Sequence, residues 1–155
     1  MQIADIILVR GTGIVGAVIS DFEHSQYAHT SGLVKDGMLI EANAFEKIDY
    51  KRLDMYKGNA DIFTCDTLTE EQRMAIAKYV RSQIGTTYDF LLLFLEAIRY
   101  TFHVMLPYKE YNNYICSTLW ADAYKSTGVD LCPGIKYPSP EDLSQSKLLR
   151  KVGTV

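Results

Sequence analysis

The chain has 155 residues, 48% of them hydrophobic and 23% charged, with a net charge of −3. That composition supports one globular domain over residues 1–155, with length for one core and too little for two domains. It gives no electrostatic case for a nucleic-acid partner, which calls for a basic stripe. Three cysteines, Cys65, Cys116 and Cys132, show no paired spacing, which argues for a reducing compartment over a disulfide framework.

The first residues, Met1 to Asp5, carry no basic stretch leading into an apolar one, so no signal peptide is read. A cytoplasmic or virus-encoded protein fits that reading. Asp5 to Val9 is a β-rich run with the character of a buried strand. Gly11-Thr12-Gly13-Ile14-Val15-Gly16 then spells G-x-G-x-x-G between a strand and a helix. Thr12 can cap that helix, and Ile14, Val15, Val18, Ile19 and Phe22 line one face of it.

The next two strands argue against a dinucleotide site. Tyr27 to Val34 reads as a strand, Lys35-Asp36-Gly37 as a turn and Met38 to Asn43 as the second strand. An Asp-Gly turn between two short strands signals a hairpin, hence antiparallel pairing. A dinucleotide site needs parallel βαβ pairing with a further half beyond it. The glycines are read as easing the strand-to-helix turn.

Glu46 to Tyr50 and Asp61 to Cys65 continue the strands, with Lys57-Gly58-Asn59 as a turn. Thr69 and Gln72 form a capping-box pattern for a helix to Ile84, with Ile76, Ala77, Val80 and Ile84 as its apolar face and Gly85 as its stop. Asp89 can cap a helix from Phe90 to about Met105, ended by Pro107. Its apolar run, Phe90 to Leu95, is broken by Glu96 and Arg99, far short of the roughly 18 residues a transmembrane segment needs. A tyrosine-bearing loop leads to a helix beginning at Cys116, with Leu119, Trp120 and Ala123 on one face and Gly128 past its end. Ser139-Pro140-Glu141-Asp142 starts a last short helix, and Leu148 to Val152 a last strand. Antiparallel strands mostly ahead of the helices give an α+β protein.

The chemistry converges on three residues. A thiol at a helix start, like Cys116, feels unpaired N–H groups and the positive dipole end, which favour thiolate. It needs a base. His103, in an aromatic helix end, reads as structural, and His24 suits a helix C-terminus. His29 opens a strand, with Ser31 and Leu33 on its face by alternation. Glu41 sits in the next strand amid Met38, Leu39, Ile40 and Ala42, where a carboxylate is costly to bury unpaired. The hairpin can place Glu41 beside His29, fixing the imidazole tautomer. A zinc site from Cys116, His29, His24 and Glu41 lacks C-x-x-C or H-x-x-x-H spacing, so no metal and no cofactor is expected.

These residues carry a resemblance. Ala4-Asp5-Ile6, Tyr27-Ala28-His29, Ile40-Glu41-Ala42, Gly85-Thr86-Thr87-Tyr88-Asp89, Cys116-Ser117-Thr118-Leu119-Trp120-Ala121 and Pro140-Glu141-Asp142-Leu143 occur in that order. As a set they resemble the permuted NlpC/p60-type papain-like proteins, the YiiX/YebB-like group in particular. Ala4 stands where that group has glycine, Ala28 where it has serine and Thr118 where it commonly has glutamate. The resemblance implies a circularly permuted papain-like fold, a small antiparallel sheet or barrel packed against helices. It implies a Cys-His-Glu triad in the chain order His29, Glu41, Cys116. It also implies cleavage of amide bonds in peptide-like or peptidoglycan-fragment substrates. Thioester-mediated acyl transfer or lipid-ester hydrolysis is the nearest alternative, and a non-catalytic binding protein the third. Tyr27 is a candidate for shaping the pocket or assisting the oxyanion, against a packing role beside its strand.

Overall fold

Asp36 and Gly37 turn the chain as their residue types suggest, with Gly37 at a φ of 65°, where an added Cβ would be strained. The turn joins β2 (Tyr27–Lys35) to β3 (Met38–Glu41), which pair antiparallel with Gly32 opposite Ile40 and Leu33 opposite Leu39. β4 (Asp49–Arg52) extends the ladder, with Asp49 opposite Glu41. β1 (Ile6–Arg10) lies on the other side of β2, followed by β5 (Ala60–Thr64) and β6 (Arg150–Thr154). The result is a six-stranded antiparallel sheet in the order β4-β3-β2-β1-β5-β6. Together with three helices among the described residues, α1 (Glu70–Ser82), α2 (Cys116–Lys125) and α3 (Pro140–Ser144), it makes an α+β fold.

The structure is a computed structural model and describes residues 1–11, 26–43, 46–86 and 116–155. The glycine motif beyond Gly11, the helices expected over 12–22 and 90–105, the loop between them and Cys116, and His24, Tyr88, Asp89 and His103 lie outside those residues. Among the described residues no helix is long and apolar enough to cross a membrane.

Local chemistry sets the helix starts. The Gln72 N–H donates to Thr69 Oγ1 at 3.2 Å and the Thr69 N–H to Gln72 Oε1 at 3.0 Å, a reciprocal capping box. Ser139 and Asp142 repeat it at α3, with Pro140 in the first turn. Two expectations shift. α1 ends at Ser82, so Ile84 falls in the turn beyond it and is 37% exposed instead of joining the apolar face. The fourth strand begins at Asp49, because its register against Met38–Glu41 sets its limits. A 3-10 turn over Leu53–Tyr56, which carries no periodic signal, comes after it.

Alternation along the strands divides the apolar residues between two clusters. Ile6, Leu8, Ile40 and Phe63 pack with Ile76 and Val80 of α1 and with Leu119, Trp120 and Tyr124 of α2. Ile7, Val9, Leu33, Leu39 and Ile62 pack with Leu53 of the 3-10 turn. Buried Arg73 ties α1 to the strands, donating to the Ile3 carbonyl at 2.9 Å, the Cys65 carbonyl at 2.8 Å and Asp5 at 3.4 Å. A guanidinium with several acceptors is tolerated where an unpaired charge would not be.

Trp120 fixes α2 against the hairpin. Its Nε1–H donates to the Ile40 carbonyl at 3.0 Å, and its ring covers Gly32 so closely that a Cβ there would meet it at 2.5 Å. Gly32→Ala is therefore expected to destabilise the fold by ~1–3 kcal/mol, the usual range for overpacking a core. Gly153→Ala, where an added Cβ meets nothing within 4 Å, is expected to change stability by less than ~0.5 kcal/mol. Denaturant unfolding of the two variants checks the contrast.

Candidate active site

The hairpin brings its two polar residues together. His29 and Glu41 lie diagonally across the β2–β3 ladder, and His29 Nε2 stands 3.3 Å from Glu41 Oε2. An ionised carboxylate only accepts, so Nε2 carries the proton in that contact. The Glu41 side chain is 1% exposed and that of His29 19%, so the ring keeps one edge toward solvent.

Glu41 is held from three further directions. Asn43 Nδ2 donates to Oε1 at 2.7 Å, and the Tyr56 hydroxyl lies 2.9 Å from Oε1 and 2.8 Å from Oε2. Burial works against the charge and is the largest single influence. The hydrogen bond and charge of His29, with the bonds from Tyr56 and Asn43, outweigh it and hold the carboxyl below its ordinary range. The Tyr56 phenol is pushed well above its ordinary range, first by burial and then by the Glu41 charge, so it remains a donor. Asn43 also donates to Glu46 at 3.2 Å, and Lys51 to the same Glu46 oxygen at 2.9 Å. A polar chain thus runs from the surface to His29.

Cys116 completes the series from a third element. It is the first residue of α2 and is 7% exposed. It lies close enough to the His29 ring to favour the ring's protonated form. With Nε2 turned to Glu41, Nδ1 is the nitrogen left for it. Burial is the largest influence on His29 and disfavours its charge, but the Cys116 sulfur and then Glu41 outweigh it, raising the imidazole to about 10. The arrangement can move a proton between a nucleophilic sulfur and an imidazole whose far side is fixed.

Tyr27 goes elsewhere. A bulge in β2 sets Val9 opposite His29 but Arg10 opposite Tyr27, which breaks the alternation between Tyr27 and His29. The Tyr27 ring joins the helix-side cluster, edge-on to Phe63 at 6.0 Å, and its hydroxyl donates to Asp61 Oδ2 at 2.7 Å. Asp61 is fully buried and also accepts from Arg10, from Lys151 at 2.7 Å and from Thr154 at 2.8 Å. Burial opposes its charge most strongly, but the bonds from Lys151, Tyr27 and Thr154 and the Arg10 charge prevail and hold the carboxyl well below its ordinary range.

Tyr56 and Asn43 are the neighbours sequence reasoning missed. Asn43 had a faint signal, two residues beyond Glu41 at the strand's end. Tyr56 had none, as one of eleven tyrosines and on an unpredicted turn.

No protein-family model matches the chain, and no curated protein matches it by sequence. Among solved structures the chain is similar to the metalloprotein YiiX of Escherichia coli O157:H7, with a TM-score of 0.73 at 16% identity over 99% of this chain and 97% of that one. At that identity the likeness is one of fold. The neighbour is described as a metalloprotein; in this chain, among the described residues, no three or more His, Cys, Asp or Glu side chains form a group that could hold a metal ion. Both Glu41 oxygens already accept from protein donors. The described residues do not fit a resident metal.

Proposed function

We propose that the chain is a cysteine hydrolase of permuted papain-like type that cleaves amide bonds in peptide or peptidoglycan-fragment substrates. The observation that carries this reading is the His29–Glu41 contact across the β2–β3 hairpin, with the Cys116 sulfur at the start of α2 favouring the protonated His29 ring. A nucleophile is recognised by its base and by the group that orients the base. The fold likeness to YiiX supports the same reading.

Cys116 Sγ, as thiolate, attacks the amide carbonyl carbon, and the carbonyl π electrons pass to oxygen. The Cys116 N–H, in the first turn of a helix and so without an intrahelical acceptor, can donate to that oxyanion. The C–N bond then breaks as His29 Nδ1 gives its proton to the leaving amine, and a thioester remains. Water attacks the thioester carbon as His29 takes a proton back, and the C–S bond breaks to return the thiolate. Glu41 keeps the ring in position and stays ionised throughout.

The acid role of His29 requires its proton. A group raised to about 10 keeps that proton through neutral pH and loses it as pH rises through about 10. Hydrolysis is therefore expected to fall on the alkaline side near pH 10, as read from kcat/KM against pH.

Incubation with peptide amides, cell-wall fragments and phospholipids, each with and without Cys116→Ala, tests the reading. Cysteine-dependent release of amines from peptide amides or cell-wall fragments is the expected result. Turnover of the lipids alone, or turnover that survives Cys116→Ala, would overturn it.

A further inference from the structure

The 3-10 turn after β4 has no place in the expected constellation, yet it sends one side chain into it. Tyr56, at the end of the Leu53–Tyr56 turn, reaches both oxygens of Glu41, at 2.9 and 2.8 Å. Its ring is tilted 37° to the His29 ring with centroids 6.4 Å apart. No other described side chain bonds both oxygens of that carboxylate.

We propose that Tyr56 is a positioning residue for the site, holding the Glu41 carboxylate in the orientation that His29 Nε2 requires. The inference rests on the assignment of Cys116, His29 and Glu41 above and deepens it. The physical ground is the freedom Glu41 would otherwise have. Asn43 fixes Oε1 alone, and a carboxylate held at one oxygen can swing about its Cγ–Cδ bond. The His29 contact, at 3.3 Å, is long and does not lock the second oxygen. A phenol reaching both oxygens fixes the carboxylate against that swing. The phenol also stays protonated over the working range, since burial and the Glu41 charge both oppose its ionisation. Among the described residues, the charged and titratable groups facing Glu41 are His29 on β2, Tyr56 on the 3-10 turn, Glu46 in the preceding loop, and Lys51 and Asp49 on β4, while Cys116 on α2 bears on His29 and Tyr56.

Tyr56→Phe removes the hydroxyl and keeps the ring. Glu41 then loses a donor to its charged form, so its carboxyl titrates higher. The acid limb of kcat is expected to move up by about one pH unit, and kcat to fall by about tenfold with KM little changed, as for loss of a transition-state interaction. Leu53→Ala is the comparison variant. It loosens the same turn from the second apolar cluster while sparing the hydroxyl.

A readout independent of turnover is the ring-nitrogen NMR titration of His29, assigned by its loss in His29→Ala. The unsubstituted protein is expected to show the proton fixed on Nε2, and Tyr56→Phe a mixed tautomer or a shifted midpoint. An acid limb and a His29 titration that are unchanged in Tyr56→Phe, or that move equally in Leu53→Ala, would overturn the inference. If Cys116 proves unreactive while His29 still responds to Tyr56→Phe alone, Tyr56 keeps its positioning role toward Glu41 and His29 and the hydrolase reading falls.

Discussion

Cys116→Ala is expected to reduce amide hydrolysis by on the order of 10⁴-fold or more, and His29→Ala by a comparable factor. Groups that act as one unit lose nearly everything when any one is removed, so the double variant is expected to be little worse than either single one. The reason lies in how the three groups are arranged. The Cys116 sulfur favours the protonated His29 ring, and the ring's Nε2 faces Glu41. Without the sulfur there is no bond-forming atom; without the ring, no acceptor and donor for the transferred proton. Glu41→Gln is expected to be milder, because an amide can keep the carboxylate's shape while losing the charge that stabilises the imidazolium. Single-turnover assays on the three variants, with far-UV circular dichroism to confirm folding, check the ranking. Cys116→Ala removes a single heavy atom from a buried position, so its folded structure is expected to persist.

The largest effect on stability is expected away from the thiol, at Asp61. Its carboxylate is fully buried and accepts from Tyr27, Arg10, Lys151 and Thr154. Asp61→Asn leaves those donors facing an amide that brings donors of its own. Removing one partner of a buried ion pair costs about 3–5 kcal/mol when the other stays buried. Lys151 is 48% exposed and Arg10 29% exposed, so both can partly regain water. A loss of about 2–4 kcal/mol is the expected outcome, measured by denaturant unfolding at neutral pH. The sign with pH comes from the direction of the shift. A carboxyl held below its ordinary 3.8 contributes stability that is present above that value and lost as pH falls through the folded-state value. The acid limb of the stability curve is therefore expected to flatten in Asp61→Asn.

Much of the site was legible because it rests on short-range rules. The Asp36-Gly37 turn announced the hairpin, and period-2 alternation put His29 and Glu41 within reach across it. The Thr69 and Ser139 caps named the starts of α1 and α3 from two residues each. The hidden features depend on contacts distant in sequence or on broken periodicity. The bulge that turns Tyr27 away from His29 has no signature in Tyr27-Ala28-His29, and only pairing with Val9 and Arg10 reveals it. Arg73 lies three and four residues from Ile76 and Ala77 and so shares their buried face, but its acceptors come from Ile3, Asp5 and Cys65. Those contacts also give Asp5, noticed only as part of a motif, a structural purpose. Ala4 adds a departure with a physical mark: where the similar group has glycine, this alanine holds a φ of 68° in the buried core.

The central claim is that Cys116 is a nucleophile activated by His29, and an uncharged electrophilic thiol probe applied across pH tests it most directly. Cys65 and Cys132 are buried internal references, the Cys132 thiol being raised to about 11, first by burial and then by Asp142 and Asp130. Cys116 is expected to label far faster than either at neutral pH, and His29→Ala to remove the advantage. Labelling of Cys116 no faster than Cys65 or Cys132, or labelling indifferent to His29→Ala, would contradict it.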